Sequence, residues 1–173
     1  MINDQRSILI YAFSNQWGTN ISRRSLLELQ KIYQTDSFQY QLIRFHPRQF
    51  FQKHINHYQY DLIIGLGDQY GDFSKIRIET QAKNAYNNEP IYPFSPILID
   101  LNIPLIENYD SNYFAISSNM GTYNCNWIAY STQLYLDQKK LSTLHLFLHL
   151  PKKSNASFLA SQIKSLLEIN NII

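Results

Sequence analysis

The chain has 173 residues, a formal net charge of +2 and one cysteine. This length is typical of a single domain with a substantial core, so we expect one domain over residues 1–173. A hydrophobic content of 45% excludes a disordered chain. The small net charge and the scattered basic residues argue against nucleic-acid binding. A single cysteine excludes an internal disulfide framework.

The segment Met1 to Arg6 lacks the apolar core of a signal peptide. No apolar run approaches the ~18 residues that a membrane-spanning helix requires. We therefore expect no membrane contact and a cytoplasmic, reducing location in which a free thiol persists.

Strand and helix patterns alternate in the first part of the chain. Continuous apolar runs predict buried strands, and apolar residues on one face predict a helix. The predicted elements are, in order, a strand over residues 7–12, a helix with Ser22 as its N-cap, a strand over 39–45, a short helix from Pro47 and a buried parallel strand over 61–67. This alternation indicates an α/β sheet.

Two later stretches are less regular. Gly65-Leu66-Gly67 follows a strand pattern, but the third glycine and the acidic residue of a dinucleotide-binding fingerprint are missing, so we do not expect a nucleotide site. Residues 86–112 contain four prolines and predict turns, a short strand around residues 97–99 and an active-site loop.

The cysteine lies between a predicted strand over residues 113–117 and a predicted helix over residues 126–136. Gly121 allows a sharp turn between them. Cys125 is therefore expected in the first turn of a helix, where the helix dipole lowers the pKa of a thiol and makes it nucleophilic. The alternative is a buried cysteine that only fills space.

A histidine, His149, lies near the end of the last predicted strand, which covers residues 144–151 and ends at Pro151. His149 shares one face of this strand with Phe147 and lies at its carboxyl end, where open α/β sheets place their sites. Together with Cys125 it is a candidate general base, whereas a histidine in an apolar strand is otherwise more often structural.

These two stretches resemble those of pyroglutamyl peptidase I, or pyrrolidone-carboxylate peptidase, a family of cysteine peptidases. The family pattern Ser-x-x-Ala-Gly-Thr-Tyr-x-Cys-Asn is similar to residues 117–126, with Met120 in place of the alanine. Its Phe-Ile-His-Val-Pro pattern is similar to residues 147–151. The resemblance extends over nearly the whole chain. It implies a twisted, mostly parallel open sheet with helices on both faces, which is called the pyrrolidone-carboxylate-peptidase-like or phosphorylase/hydrolase-like fold. It also implies that the protein uses no metal or cofactor.

The resemblance also implies a third catalytic residue, since a Cys–His pair needs a group that orients the imidazole. Family members use a glutamate followed five positions later by an asparagine, and Glu79 and Asn84 match these positions. The alternative for Glu79 is a solvated charge at a strand edge.

The first loop resembles the family loop whose aromatic residues enclose the flat lactam ring of the substrate. Phe13, Trp17 and Asn20 match the aromatic and asparagine positions of that loop, although its proline is missing. Phe13 and Trp17 are expected either to contact the substrate or to belong to the core.

Other segments depart from the family pattern. The glycine-rich loop after the third strand reads Gly67-Asp68-Gln69-Tyr70-Gly71-Asp72, which retains a glutamine as Gln69 but has lost its arginine. Glu89 replaces a second family arginine, and the chain is shorter than is typical between Glu79 and Cys125. The resemblance thus implies an intact triad of Cys125, His149 and Glu79 beside an altered substrate pocket.

Three functions are compatible with these observations. The first is a cysteine peptidase that removes an N-terminal pyroglutamyl group from a blocked peptide or a small amide. The second is a related thiol hydrolase with a different acyl preference. The third is a non-catalytic binding protein that retains the fold, and the resemblance leaves open a homo-oligomer in each case.

Overall fold

The computed structural model describes residues 6–71 and 73–173. The first five residues of the Met1 to Arg6 segment therefore lie outside the described residues. The strands are β1 (Ile8–Phe13), β2 (Phe38–Ile43), β3 (Leu62–Gln69), β4 (Ile76–Glu79), β5 (Gln81–Lys83), β6 (Leu98–Asp100), β7 (Phe114–Ser117) and β8 (Leu144–Pro151). The helices are α1 (Ile21–Ile32), α2 (Pro47–His54), α3 (Asn124–Lys139) and α4 (Ala156–Ile169).

In the described part of the chain, six strands form one sheet in the order β2-β1-β3-β8-β4-β7. Strands β2, β1, β3 and β8 are parallel, and β4 runs antiparallel to β8. The carboxyl ends of the four parallel strands therefore meet at one edge, which we call the carboxyl edge. The predicted α/β fold with a mostly parallel sheet is confirmed.

Helices cover both faces of this sheet, as expected. Helices α1 and α4 pack over one face, where Leu29 and Ile163 are fully buried against strand residues such as Ile64. Helices α2 and α3 pack over the other face, where Phe51 and Ile128 join a second cluster with Tyr11. Burial of these apolar side chains is the main stabilising contribution to the fold.

Helix α1 begins differently from the prediction that Ser22 is its N-cap. Asn20 holds that position, and Ser22 lies inside the first turn. The N–H groups of Ile21 and Ser22 donate instead to the carboxylate of Asp68, at 3.3 and 2.9 Å. A residue distant in sequence therefore caps the helix, which a local capping pattern cannot reveal.

The predicted elements around the cysteine and the histidine are confirmed. Strand β7 ends at Ser117, α3 begins at Asn124, and β8 spans residues 144–151 as predicted. Gly65 and Gly67 lie inside β3 and not in a turn before a helix, which agrees with the absence of a dinucleotide fingerprint.

A small antiparallel sheet, β5 paired with β6, lies beside α3. The side chain of Asn126 fixes it there: its Oδ1 accepts from the N–H of Lys83 at 2.8 Å, and its Nδ2 donates to the carbonyls of Lys83 and Ala85 at 2.9 and 2.7 Å. Within residues 6–71 and 73–173, no helix is both long and apolar enough to cross a bilayer.

Candidate active site

Cys125 is the second residue of α3, directly after the turn that follows β7. Gly121 in this turn has φ +81°, a conformation that favours glycine. The side chain of Cys125 is partly buried. The expectation that the cysteine lies in the first turn of a helix is therefore confirmed.

His149 lies near the carboxyl end of β8, and its ring contacts the carboxylate of Glu79 on the neighbouring strand β4. Nδ1 of His149 is 2.8 Å from Oε1 of Glu79. Glu79 is fully buried and His149 is nearly so. Glu79 is therefore not a solvated charge at a strand edge, and it is placed to orient the imidazole.

Gly67 lies between the thiol and the imidazole. It is opposite His149 in the pairing of β3 with β8. A Cβ atom added to Gly67 would lie 2.8 Å from Sγ of Cys125 and 2.9 Å from Cδ2 of His149. The thiol and the imidazole are thus no further apart than the sum of these two distances, and the structure brings the three predicted triad residues together.

The electrostatic surroundings of Cys125 differ from the prediction. Burial, followed by the negative charges of Asp68 and Glu79, raises the pKa of the Cys125 thiol to about 12. The expectation of a lowered pKa was wrong in direction, because two carboxylates and desolvation outweigh the dipole of one helix terminus. A thiol of this kind stays protonated at neutral pH and needs a general base to become a nucleophile.

Asp68 is a residue that the sequence analysis did not single out, yet its buried carboxylate organises the first loop. It accepts from Ser22 Oγ at 2.5 Å and from Asn20 Nδ2 at 3.4 Å, in addition to the two N–H groups of α1. The only sequence signal is that Asp68 directly follows Gly67 at the end of a buried strand. Which helix it caps is visible only in three dimensions.

The loop from Ser14 to Asn20 follows β1 at the carboxyl edge. Its predicted substrate residues are in different environments. Phe13 is half-buried and packs against the core cluster beneath α2 and α3, whereas Trp17 is 76% exposed. Trp17 is therefore free to contact a ligand. Asn20 is engaged within the loop, since its Oδ1 accepts from the N–H of Asn15 at 2.5 Å and its Nδ2 faces Asp68.

Gln69 is the last residue of β3 and is 5% exposed. Side chains alternate along a strand, so Gln69 lies on the same face as Gly67, the face of Cys125. Neither Oε1 nor Nε2 of Gln69 has a hydrogen-bond partner. Buried polar groups are normally paired, so the unpaired amide of Gln69 is a candidate partner for a polar group of a ligand.

The other residues compared with the family pattern lie in the loops around α3. Asn84 holds the segment after β5, with Nδ2 2.7 Å from the carbonyl of Tyr92 and Oδ1 2.9 Å from its N–H. Glu89 is exposed and pairs through its backbone with Tyr86. Asp72 lies outside the described residues. Among the residues that the structure does describe, no group of three or more potential ligands could hold a metal ion.

The fold and this site define an α/β protein with a cysteine and a histidine near the carboxyl edge of its sheet and a glutamate on the antiparallel strand β4 that contacts the histidine. No family model and no curated protein matches the chain. Its fold is that of the pyrrolidone carboxyl peptidases, as a comparison with solved structures shows.

A mutant pyrrolidone carboxyl peptidase from Pyrococcus furiosus matches with a TM-score of 0.78 and 19% identity, over 96% of this chain and 98% of that chain. A second mutant from the same organism gives a TM-score of 0.75 and 20% identity, over 96% and 98%. Pyroglutamyl peptidase I from Bacillus amyloliquefaciens gives a TM-score of 0.72 and 21% identity, over 95% and 94%. The fold implied by the sequence resemblance is thus confirmed.

Proposed function

We propose that the protein is a cysteine peptidase that removes an N-terminal pyroglutamyl group from peptides. The observation that supports this most is the contact between His149 and Glu79 beside Cys125, in a chain with the fold of the pyrrolidone carboxyl peptidases. At this level of identity the comparison extends to the fold alone, so the activity is inferred from the site.

The first step of the reaction is proton transfer from the thiol. Because Oε1 of Glu79 accepts from Nδ1 of His149, the proton of the neutral ring is on Nδ1 and the lone pair of Nε2 is available. His149 takes the thiol proton as Sγ attacks the carbonyl carbon of the pyroglutamyl amide. The base is needed here because burial and nearby carboxylates raise the pKa of Cys125.

The second step breaks the amide bond. As the C–N bond breaks, the imidazolium of His149 returns its proton to the leaving amine, and the acyl group stays on sulfur as a thioester. Water then attacks the thioester with His149 as base, which releases pyroglutamate and regenerates the thiol. The N–H groups of the first turn of α3 have no partners within that helix and are available to the oxyanion.

Recognition of the lactam ring is assigned to Gln69 and the first loop. A carboxamide can pair with the edge of a lactam through two hydrogen bonds: Oε1 accepts from the ring N–H and Nε2 donates to the ring carbonyl. Both atoms of Gln69 are buried and without a partner. Trp17 and Phe13 supply the aromatic surfaces for the ring, and Asn20 holds their loop in place.

Two other functions rest on specific observations. A thiol hydrolase with another acyl preference is favoured by the exposure of Trp17, which leaves one side of the expected ring-binding site open. A binding protein without catalytic activity is favoured by the raised pKa of the Cys125 thiol.

The test is hydrolysis of a pyroglutamyl amide with a fluorescent leaving group. We expect turnover by the wild type and none by Cys125→Ala or His149→Ala. If the wild type hydrolyses other acyl amides but not the pyroglutamyl amide, the result supports a thiol hydrolase with another acyl preference. Absence of turnover on every acyl amide, with a thiol that iodoacetamide does not modify at neutral pH, supports the third.

A further inference from the structure

Arg77 on β4 connects the two halves of the candidate active site, although no sequence pattern singled it out. It lies opposite His149 in the antiparallel pairing of β4 with β8, and two residues before Glu79 on the same face. Its side chain is 24% exposed. It therefore lies at the rim of the site and extends inward.

On one side, the guanidinium meets the triad carboxylate. Nε of Arg77 is 3.6 Å from Oε1 of Glu79, the same oxygen that contacts Nδ1 of His149. The other oxygen of Glu79 has no partner. A fully buried carboxylate is costly unless a charge balances it, and Arg77 supplies a permanent positive charge.

On the other side, the guanidinium holds the turn that leads to the nucleophile. Nη2 of Arg77 donates to Oγ of Ser117 and, at 3.4 Å, to the carbonyl of Asn119. Oγ of Ser117 in turn accepts from the N–H of Asn119 at 3.3 Å. The ring of Phe73 lies over the guanidinium at 5.4 Å, which restricts its movement.

We propose that Arg77 is a positioning residue of this site, whose charge holds the carboxylate of Glu79 against His149 and whose hydrogen bonds fix the turn that carries Cys125. The catalytic part of this inference rests on the proposed function. The electrostatic part does not, since it concerns only the charge of the Glu79–His149 pair. One side chain thereby contacts both the carboxylate partner of the base and the turn that carries the thiol.

Other ionisable groups act on this site through Cys125, whose thiol is coupled to Glu79. Strand β3 contributes Asp68, and β1 contributes the buried hydroxyl of Tyr11, each of which is coupled to Cys125. None of these is a permanent cation. The guanidinium of Arg77, by contrast, is a permanent cation 3.6 Å from Glu79, so its charge opposes protonation of the pair.

The experiment follows the ring of His149 by NMR as a function of pH, with His149→Ala to identify its signal among five histidines. Arg77→Gln and Arg77→Met each remove the charge, and Arg77→Lys keeps the charge but loses the fork that reaches Ser117 and Asn119. Lys75→Met is the matched control, because Lys75 is an exposed cation near the start of β4 that donates to the carbonyl of Ser111.

We expect the titration midpoint of His149 to rise by about one pH unit in Arg77→Gln or Arg77→Met. It should stay at the wild-type value in Arg77→Lys and Lys75→Met. In the hydrolysis assay, Arg77→Lys should lower kcat about 10-fold with the acid limb of the pH profile unmoved, because the turn is loosened while the charge remains.

The proposal would be overturned if the titration midpoint of His149 were the same in the wild type and in a folded neutral variant, either Arg77→Gln or Arg77→Met. A shifted His149 midpoint in Arg77→Lys would overturn it as well. This measurement therefore tests the proposal even if both neutral variants unfold. A midpoint shift in a protein that hydrolyses no pyroglutamyl amide would support the electrostatic role and count against the proposed function alone.

Discussion

Gly67 and Cys125 are so close that a Cβ atom on Gly67 would lie 2.8 Å from Sγ of Cys125, nearer than ordinary van der Waals contact. The same atom would lie 2.9 Å from Cδ2 of His149 and 3.1 Å from Cε1 of Phe147. The absence of a side chain at this position of β3 is what allows the thiol and the imidazole to face each other.

Gly67→Ala should therefore displace the thiol from the imidazole. We expect a loss of about 1–3 kcal/mol in the free energy of unfolding from the overpacked contacts. Hydrolysis should fall about 100-fold, since small misplacements of reacting groups are costly. Urea denaturation and steady-state kinetics measure the two effects. The double variant Gly67→Ala/Cys125→Ala should regain part of the lost stability. If the stability changes of the two single variants simply add, the added methyl group does not contact the thiol.

Asp68→Asn should make the thiol more reactive. Removing the negative charge lowers the pKa of Cys125, so a larger fraction is thiolate at a given pH. Alkylation by iodoacetamide at pH ~8 should accelerate about 3- to 10-fold, while the loss of the α1 cap should cost about 1–2 kcal/mol of stability. Asp61→Asn is the control, since Asp61 is an exposed carboxylate just before the other end of β3. Equal acceleration in both variants would contradict a local effect of Asp68.

Gln69→Met should stabilise the protein and weaken the activity at the same time. Replacing an unpaired buried amide by an apolar side chain of similar size removes a penalty of about 1–3 kcal/mol. The kcat/KM for pyroglutamyl amides should fall about 10- to 100-fold, because the two hydrogen bonds to the lactam are lost. The control Gln133→Met should destabilise, since Gln133 bonds to Asn102 and Asp137. A Gln69→Met protein with full activity would exclude Gln69 from the substrate site.

Trp17→Ala should raise KM without affecting stability. The ring is 76% exposed, so its removal should change the free energy of unfolding by less than about 0.5 kcal/mol. If the ring covers the lactam, KM should rise about 5- to 20-fold, which corresponds to the energy of one aromatic contact. Tyr58→Ala, an exposed aromatic side chain away from the carboxyl edge, provides the comparison. An unchanged KM would place the lactam elsewhere.

His145 should make the protein sensitive to acid. It is fully buried, and desolvation lowers its pKa to about 3 from an ordinary value of 6.5. The stability associated with the neutral ring is fully present above pH 6.5 and is lost as the pH falls toward 3, by about 1.4 kcal/mol per unit. His145→Leu should reduce this slope in urea denaturation between pH 6 and 4. His57→Gln, at an exposed position, should keep it; the same slope in His145→Leu would assign the acid sensitivity to other groups.

The residues around Cys125 and His149 could be identified from the sequence because their signals are local. The mainly apolar run over residues 144–151 predicts β8 and the histidine near its carboxyl end. The run with Gly121 and Cys125 predicts a turn into a helix. These patterns depend on backbone geometry over a few residues, so the elements that carry the nucleophile and the base follow from neighbouring side chains.

Other features of the site depend on contacts between segments far apart in the chain. The sequence pattern could suggest Glu79 only through resemblance, since its partner His149 is 70 residues away and the two meet because β4 runs antiparallel beside β8. No sequence pattern indicated the roles of Asp68 and Arg77. Asp68 acts on α1, and Arg77 acts on the turn after β7.

The charge state of the nucleophile was likewise decided by the tertiary structure. Local sequence is enough to place Cys125 in the first turn of a helix, and the helix dipole alone favours a thiolate. Folding desolvates the partly buried thiol and places Asp68 and Glu79 near it, and these longer-range effects raise its pKa instead of lowering it. Local sequence determines which backbone element a residue joins, whereas desolvation and the arrangement of charges depend on how all the elements pack together.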